Sequence, residues 1–128
     1  MKTYFIDTNV ILRFLLHDNE KLYQQAKIFI TKAKNKEIEL HLVPEVLFEV
    51  DYVLRGVYHL TKKESSEIIL NLTLSTYLKI VDRKIMINSI KKYQTTNVDL
   101  FDLYLFFKAS QQKAEVLSFD KDFKKILT

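Results

Sequence analysis

Apolar and polar positions along this 128-residue chain fall into blocks, and the blocks change period in a regular order. Tyr4-Phe5-Ile6 opens as an apolar, β-prone run and ends on Asp7-Thr8-Asn9, after which Val10 to Leu16 resumes an apolar run around Arg13. A buried strand, a polar break and a helix starting at the break account for this order. Residues 19–35 place Leu22, Ala26, Ile28, Phe29, Ile30 and Ala33 near helical spacing. Lys32, Lys34 and Lys36 give that helix a basic end that suits its dipole. Glu37 to Val43 alternates as a strand does, and Pro44 stops it and opens a helix to about Gly56, a favoured place for proline. Thr61-Lys62-Lys63-Glu64 has the spacing of a capping box, with a helix to about Ser75. Tyr77 to Val81 predicts a short strand, and Asp82 is placed to cap a helix through Lys92. Residues 99–109 are apolar almost all round, which predicts a buried helix. Glu115 to Phe119 predicts a final strand, followed by a helix carrying Phe123, Ile126 and Leu127.

Strands alternating with helices imply an α/β fold with a parallel sheet, whose strands all exit at one edge. Asp7 and Asp120 each end an apolar run, so both are expected at that edge. The length fits one domain, residues 1–128, with a core that needs no staples.

Composition narrows the chemistry. There is no cysteine, which removes disulfides and thiolate metal sites and suits a cytoplasmic protein. One glycine and one proline exclude a glycine-rich phosphate loop, and with it the P-loop and dinucleotide-binding folds. No segment approaches the roughly 18 apolar residues of a membrane span. The N-terminal run has a single lysine and is interrupted by Asp7, unlike a secretory signal. The net charge of +4 permits a polyanionic partner. If six acids gather at one site, the rest of the chain carries 20 basic against 10 acidic residues, a more nucleic-acid-like surface.

Several acids are candidates for that site. Asp7, Thr8 and Asn9 are all good helix caps, but the exit edge of an open α/β sheet is also where ligands bind. Asp99 and Asp102 sit at i and i+3 on one helix face. Asp99 can cap; Asp102 lies past the cap among Phe and Leu, where a carboxylate costs several kcal/mol unless paired or bound to a cation. Glu49 and Asp51 flank the apolar stripe of their helix on opposite sides, each about 100° from its centre, and periodicity does not choose between them. Either also reads as a solvated acid beside the core. Gathered carboxylates repel one another unless a cation compensates. With only His17, His41 and His59 besides, scattered along the chain, the ligands on offer are oxygens, which suit Mg²⁺ or Mn²⁺. Such ions polarise phosphoryl oxygens and activate water, the parts of phosphodiester hydrolysis.

Four short motifs then carry a family resemblance. They are Phe5-Ile6-Asp7-Thr8-Asn9-Val10, Pro44-Glu45-Val46-Leu47-Phe48-Glu49, Asp99-Leu100-Phe101-Asp102 and Leu117-Ser118-Phe119-Asp120-Lys121-Asp122-Phe123. In this order and spacing they resemble a PIN-domain ribonuclease, most closely the VapC-type toxins of toxin–antitoxin pairs. The resemblance implies a three-layer α/β/α fold with a central parallel sheet and about seven helices. The sheet has four or five strands in the family, four being expected here because little chain follows the last helix. It implies a Mg²⁺- or Mn²⁺-dependent endoribonuclease with metal-binding acids at Asp7, Glu49, Asp102 and Asp120, thus selecting Glu49 over Asp51. Asn9 and Ser118 match polar positions that help order the site, and Asp99 and Asp122 match accessory acids. Leu103 departs from the family, which has a small residue there. RNA would cross the acidic cleft between basic residues, with Arg13, Lys121, Lys124 and Lys125 as candidates. PIN toxins also form homodimers and are silenced by an antitoxin; Tyr52, Tyr58 and Tyr104 could serve such interfaces, core packing being their simpler role. Two other readings compete. A receiver-like signalling domain would use Asp82 as phosphoacceptor, but lacks the paired acids after the first strand and the lysine after the last. A catalytically silent PIN-like module would bind RNA or protein without cutting.

Overall fold

In the computed structural model, which describes residues 1–126, three strands and seven helices follow one another. Leu127, expected on the last helix, lies outside those residues, as does the side chain of Lys125. The strands are β1 (Lys2–Phe5), β2 (Ile38–Leu42) and β3 (Lys79–Ile80). The helices are α1 (Thr8–Leu16), α2 (Glu20–Lys34), α3 (Pro44–Gly56), α4 (Lys62–Leu74), α5 (Arg83–Tyr93), α6 (Leu100–Gln111) and α7 (Asp122–Ile126). The sheet is parallel, in the order β1-β2-β3, with Tyr4 beside Leu40 and Leu42 beside Ile80. One contiguous core, including Ile11, Ile30, Leu42, Leu47, Met86 and Leu103, joins sheet and helices.

Local chemistry sets most element ends. Asn19 accepts the Leu22 N–H at 3.0 Å and starts α2. Pro44 is the first residue of α3, where its missing N–H costs nothing. Both bonds of the capping box at α4 are present: Thr61 Oγ1 accepts the Glu64 N–H at 3.1 Å, and Glu64 accepts the Thr61 N–H at 2.9 Å. Arg83 donates to the carbonyls of Thr73, Ser75 and Leu78, satisfying groups that the end of α4 leaves open. With only one glycine in the chain, left-handed turns fall to other residues: His17, Lys36, His59, Asp82 and Lys113 all have φ between 50° and 61°.

The expected fourth strand is absent. Glu115 to Phe119 pairs with nothing in the sheet, and Leu117 and Phe119 stand fully exposed at 99% and 106%. An apolar run becomes a strand only where a neighbour and a covering layer exist, and none covers this one. Two further expectations are corrected. β1 is not buried: it is the outer strand of the sheet, and Phe5 is 68% exposed, with only Ile6, just past its end, in the core. Nor is α6 buried all round; Leu100 and Leu103 face inward while Phe101 and Leu105 meet solvent.

Asp82 occupies the position before α5, but its side chain makes no capping hydrogen bond. Its carboxylate instead accepts from Tyr104 Oη at 2.7 Å and Lys108 Nζ at 2.9 Å, tying α5 to α6. Arg13, expected beside a substrate, is paired with Asp18 at 3.2 Å, and Tyr58 donates to the same carboxylate. Tyr104 packs on Phe48, whereas Tyr52 is 74% exposed and has no core role.

Candidate metal centre

Asp7 stands at the junction of β1 and α1 with an extended backbone, and its carbonyl accepts the Val10 and Ile11 N–H groups. Its side chain makes no capping bond, so the carboxylate is exposed and uncommitted to the helix. The next residue takes up a different task. Thr8 is buried, and its hydroxyl donates to Glu49 at 3.1 Å across the α1–α3 contact. Thr8 therefore connects the first motif to the second, a role that its reading as a cap did not include; its place in the polar break was the only signal for it.

Glu49 and Asp51, indistinguishable by periodicity, have opposite surroundings. Glu49 is exposed on the Thr8 side of α3. Asp51 is only 7% exposed and accepts from Ser65 Oγ at 2.6 Å and Tyr93 Oη at 2.8 Å, while Arg55 donates to the same phenol. Asp51 is thereby a structural tie among α3, α4 and α5. Burial and the neighbouring Asp51 charge push the Tyr93 phenol far above its ordinary range, which keeps it a donor at any working pH.

The remaining acids converge. Carboxylate oxygens of Asp102, Asp120 and Asp122 lie within 4.8 Å of one another. Asp102 comes from the first turn of α6, and the other two from the segment that turns into α7. That segment is shaped by its own polar groups: the Asp120 N–H donates to Ser118 Oγ at 2.9 Å, and the Asp122 N–H donates to Asp120 Oδ1 at 2.9 Å. Ser118 thus orders the turn, and Asp120 keeps a second oxygen for the cluster. Asp99 precedes α6 without capping it by its side chain. Burial, and then the charges of Asp99, Asp120 and Asp122, push the Asp102 carboxyl above the usual carboxylate range. No lysine or arginine pairs with Asp99, Asp102 or Asp120 among the described residues. Asp82 is the contrast: its Tyr104 and Lys108 partners hold its carboxyl below that range.

The two acid groups are joined through aromatic packing. Phe48, next to Glu49, contacts Phe101, next to Asp102, edge-on at 5.5 Å between ring centres. Asn9 is exposed and lines the groove between α1 and α2 with Arg13, Leu22 and Phe29; it bonds none of the acids. Of the eight residues expected at the site, the tightest set is therefore Asp102, Asp120 and Asp122. Ser118 and Asp99 adjoin that set, Glu49 and Asp7 belong with Thr8, and Asn9 stands outside both groups. The donors are all carboxylate oxygens, a set that fits a hard divalent cation and offers nothing to a thiolate-loving one.

No curated protein and no solved structure gives a significant match to the chain. A family model does: the one described as the PIN domain matches residues 4–127. PIN domains are generally nucleases and typically use divalent metals, which agrees with a parallel α/β fold carrying a carboxylate cluster. The chain belongs to the PIN domain family.

Proposed function

We propose that this protein is a Mg²⁺- or Mn²⁺-dependent endoribonuclease, the toxin of a VapC-type toxin–antitoxin pair. The observation that carries the reading is the meeting of Asp102, Asp120 and Asp122, with no lysine or arginine paired to Asp102 among the described residues. Asp7, Glu49, Asp102 and Asp120 would hold the metal, with Asp122 and Asp99 adding negative charge around them. A divalent cation bound there would polarise the scissile phosphoryl group and supply a nucleophilic water near neutral pH. The chain's own residues do the rest. Ser118 holds the Asp120 backbone in its turn, and Thr8 fixes one oxygen of Glu49. The 20 basic residues supply the cationic surround that a polyanionic substrate needs. The antitoxin and homodimer rest on the resemblance of the four motifs to VapC-type toxins, and the cytoplasmic location on the absence of cysteine. A receiver-like reading loses support because Asp82 sits in an ion pair rather than beside a second acid.

The test is cleavage of a purified RNA by the full chain with Mn²⁺, beside Asp7→Asn and Asp102→Asn. Both variants should lose at least about a hundredfold in rate while staying folded. Wild-type melting should also rise with Mn²⁺, by about 2.7 kcal/mol at a hundredfold excess over Kd. Full activity in either variant, or no melting shift, would overturn the reading.

A further inference from the structure

The sheet carries a second feature. A groove of about 770 Å³ opens where the strands begin, lined by Lys34 and Lys36 from the end of α2, Ile38 and Glu39 from β2, Tyr77, and Lys79 at the start of β3. Ile38 is in register with Lys2, at the end of β1 away from Asp7, while Lys79 is in register with His41 and Phe5, two strands across the sheet.

The groove gathers three exposed ammonium groups without counterions. None of Lys34, Lys36 and Lys79 forms an ion pair among the described residues. Glu39, the one acid in the lining, is engaged elsewhere: it accepts from Thr3 at 3.5 Å and lies 3.3 Å from His41 Nε2. Lys34 lies over the ring of Tyr77, 4.9 Å from its centre, which holds it across the groove. Lys36 lines the same groove. It has φ 61° at the position just past α2 where glycine or asparagine is the unstrained choice. Among the described residues it is one of five non-glycine residues in the left-handed region, and it is the one that lines the groove. Lysines used as point charges are phosphate binders, and the lining of Ala33, Ile38 and Tyr77 offers an apolar floor beside them.

We propose that this groove is a second RNA-binding site, at which Lys34, Lys36 and Lys79 hold backbone phosphates of the strand outside the point of cleavage. The choice of RNA over other phosphate ligands rests on the ribonuclease reading; the convergence of charge does not. The site contributes affinity and leaves sequence unread, since phosphate contacts carry no base information.

The experiment is binding of a labelled single-stranded 20-mer RNA to the full chain in EDTA, across a salt series. Single-strand binding loses about 0.7 in the slope of log K against log salt for each phosphate contact removed. The triple variant Lys34→Gln/Lys36→Gln/Lys79→Gln should therefore bind about tenfold more weakly at moderate salt and lose about 2 in slope. Lys63→Gln/Lys84→Gln/Lys91→Gln, removing three exposed lysines elsewhere, should keep the slope. Lys36→Gly should melt at a higher temperature, by relief of the left-handed backbone, and still lose slope, a pairing that a purely structural lysine does not give. An unchanged slope in the first triple variant, or an equal loss in the second, overturns the proposal. Loss of 5′-AMP binding in the first triple variant with RNA binding intact overturns it in favour of a free phosphate ligand. Because no cleavage is needed, the outcome is independent of the nuclease test: a chain that fails to cut RNA still holds it in the groove if the proposal is right, and a chain that cuts without the groove overturns the proposal alone.

Discussion

At the scale of the residue, Glu49 and Asp51 show how little a helical wheel decides by itself. Two positions apart on α3, one meets Thr8 and solvent while the other is enclosed by Ser65, Tyr93 and Arg55. Opposite consequences follow. Asp51→Ala should lower stability by about 2–4 kcal/mol, because it strips the acceptor from two buried hydroxyls. Glu49→Ala should stay within about 0.5 kcal/mol in denaturant melts, while losing RNA cleavage if the proposed ligand set is right. Comparable melts for the two variants would contradict this partition. Asp7 was legible at a strand exit and Asp99 and Asp102 at a helix start; Asp120 was read at the exit of a strand that does not form, and Glu49 was chosen by the family resemblance. Their grouping was not legible: periodicity places a side chain on a face, and only tertiary contact tells whether a serine and a tyrosine wait there. Asp122, named as accessory, stands in the tight cluster, and Thr8, named as a cap, is a contact across helices.

At the scale of the element, α6 is the joint of the molecule. Its first turn supplies Asp102, and its middle supplies Tyr104 and Lys108 to Asp82. The Tyr104 hydrogen bond, then Lys108, hold the folded Asp82 carboxyl below its ordinary value of 3.8, so the unfolded chain binds the proton more readily. The α5–α6 tie therefore contributes fully above about pH 4 to 5 and is lost as pH falls through the depressed folded value. Asp82→Ala should destabilise the protein at pH 7 by about 1–2 kcal/mol, and the difference from wild type should shrink as melts are taken toward pH 3. A difference independent of pH would mean that the ion pair carries none of it. The elements with local signatures were readable: the capping box at Thr61, Pro44 at the start of α3, and the alternation of β2. The expected strand at 115–119 was not a strand, because its apolar alternation says what could be buried and not whether a partner is present. The outer sides of α6 and β1 are likewise exposed.

At the scale of the whole molecule, parallel topology separates two kinds of charge. The exits of β1 and β2 lead to Asp7 and to the helix that carries Glu49, and Lys34, Lys36 and Lys79 gather around the starts of β2 and β3. A net charge of +4 conceals this polarity, since it averages an acidic centre with a basic remainder. The α/β alternation and the parallel sheet were both legible in the block pattern of the chain, and the three-stranded width was not.

That width leaves its mark on the timescale of amide exchange. β1 has β2 on one side only, and its N–H groups alternate in direction along the strand. The Ile6 amide points inward and donates to the His41 carbonyl at 2.9 Å, so it should exchange with deuterium only when the sheet opens. By the same alternation the Phe5 amide points outward to water, and it should exchange orders of magnitude faster although it is the adjacent residue. Residue-resolved exchange would read this directly, and equal protection at Phe5 and Ile6 would mean that some strand, from this chain or another, has closed the open side of the sheet in solution.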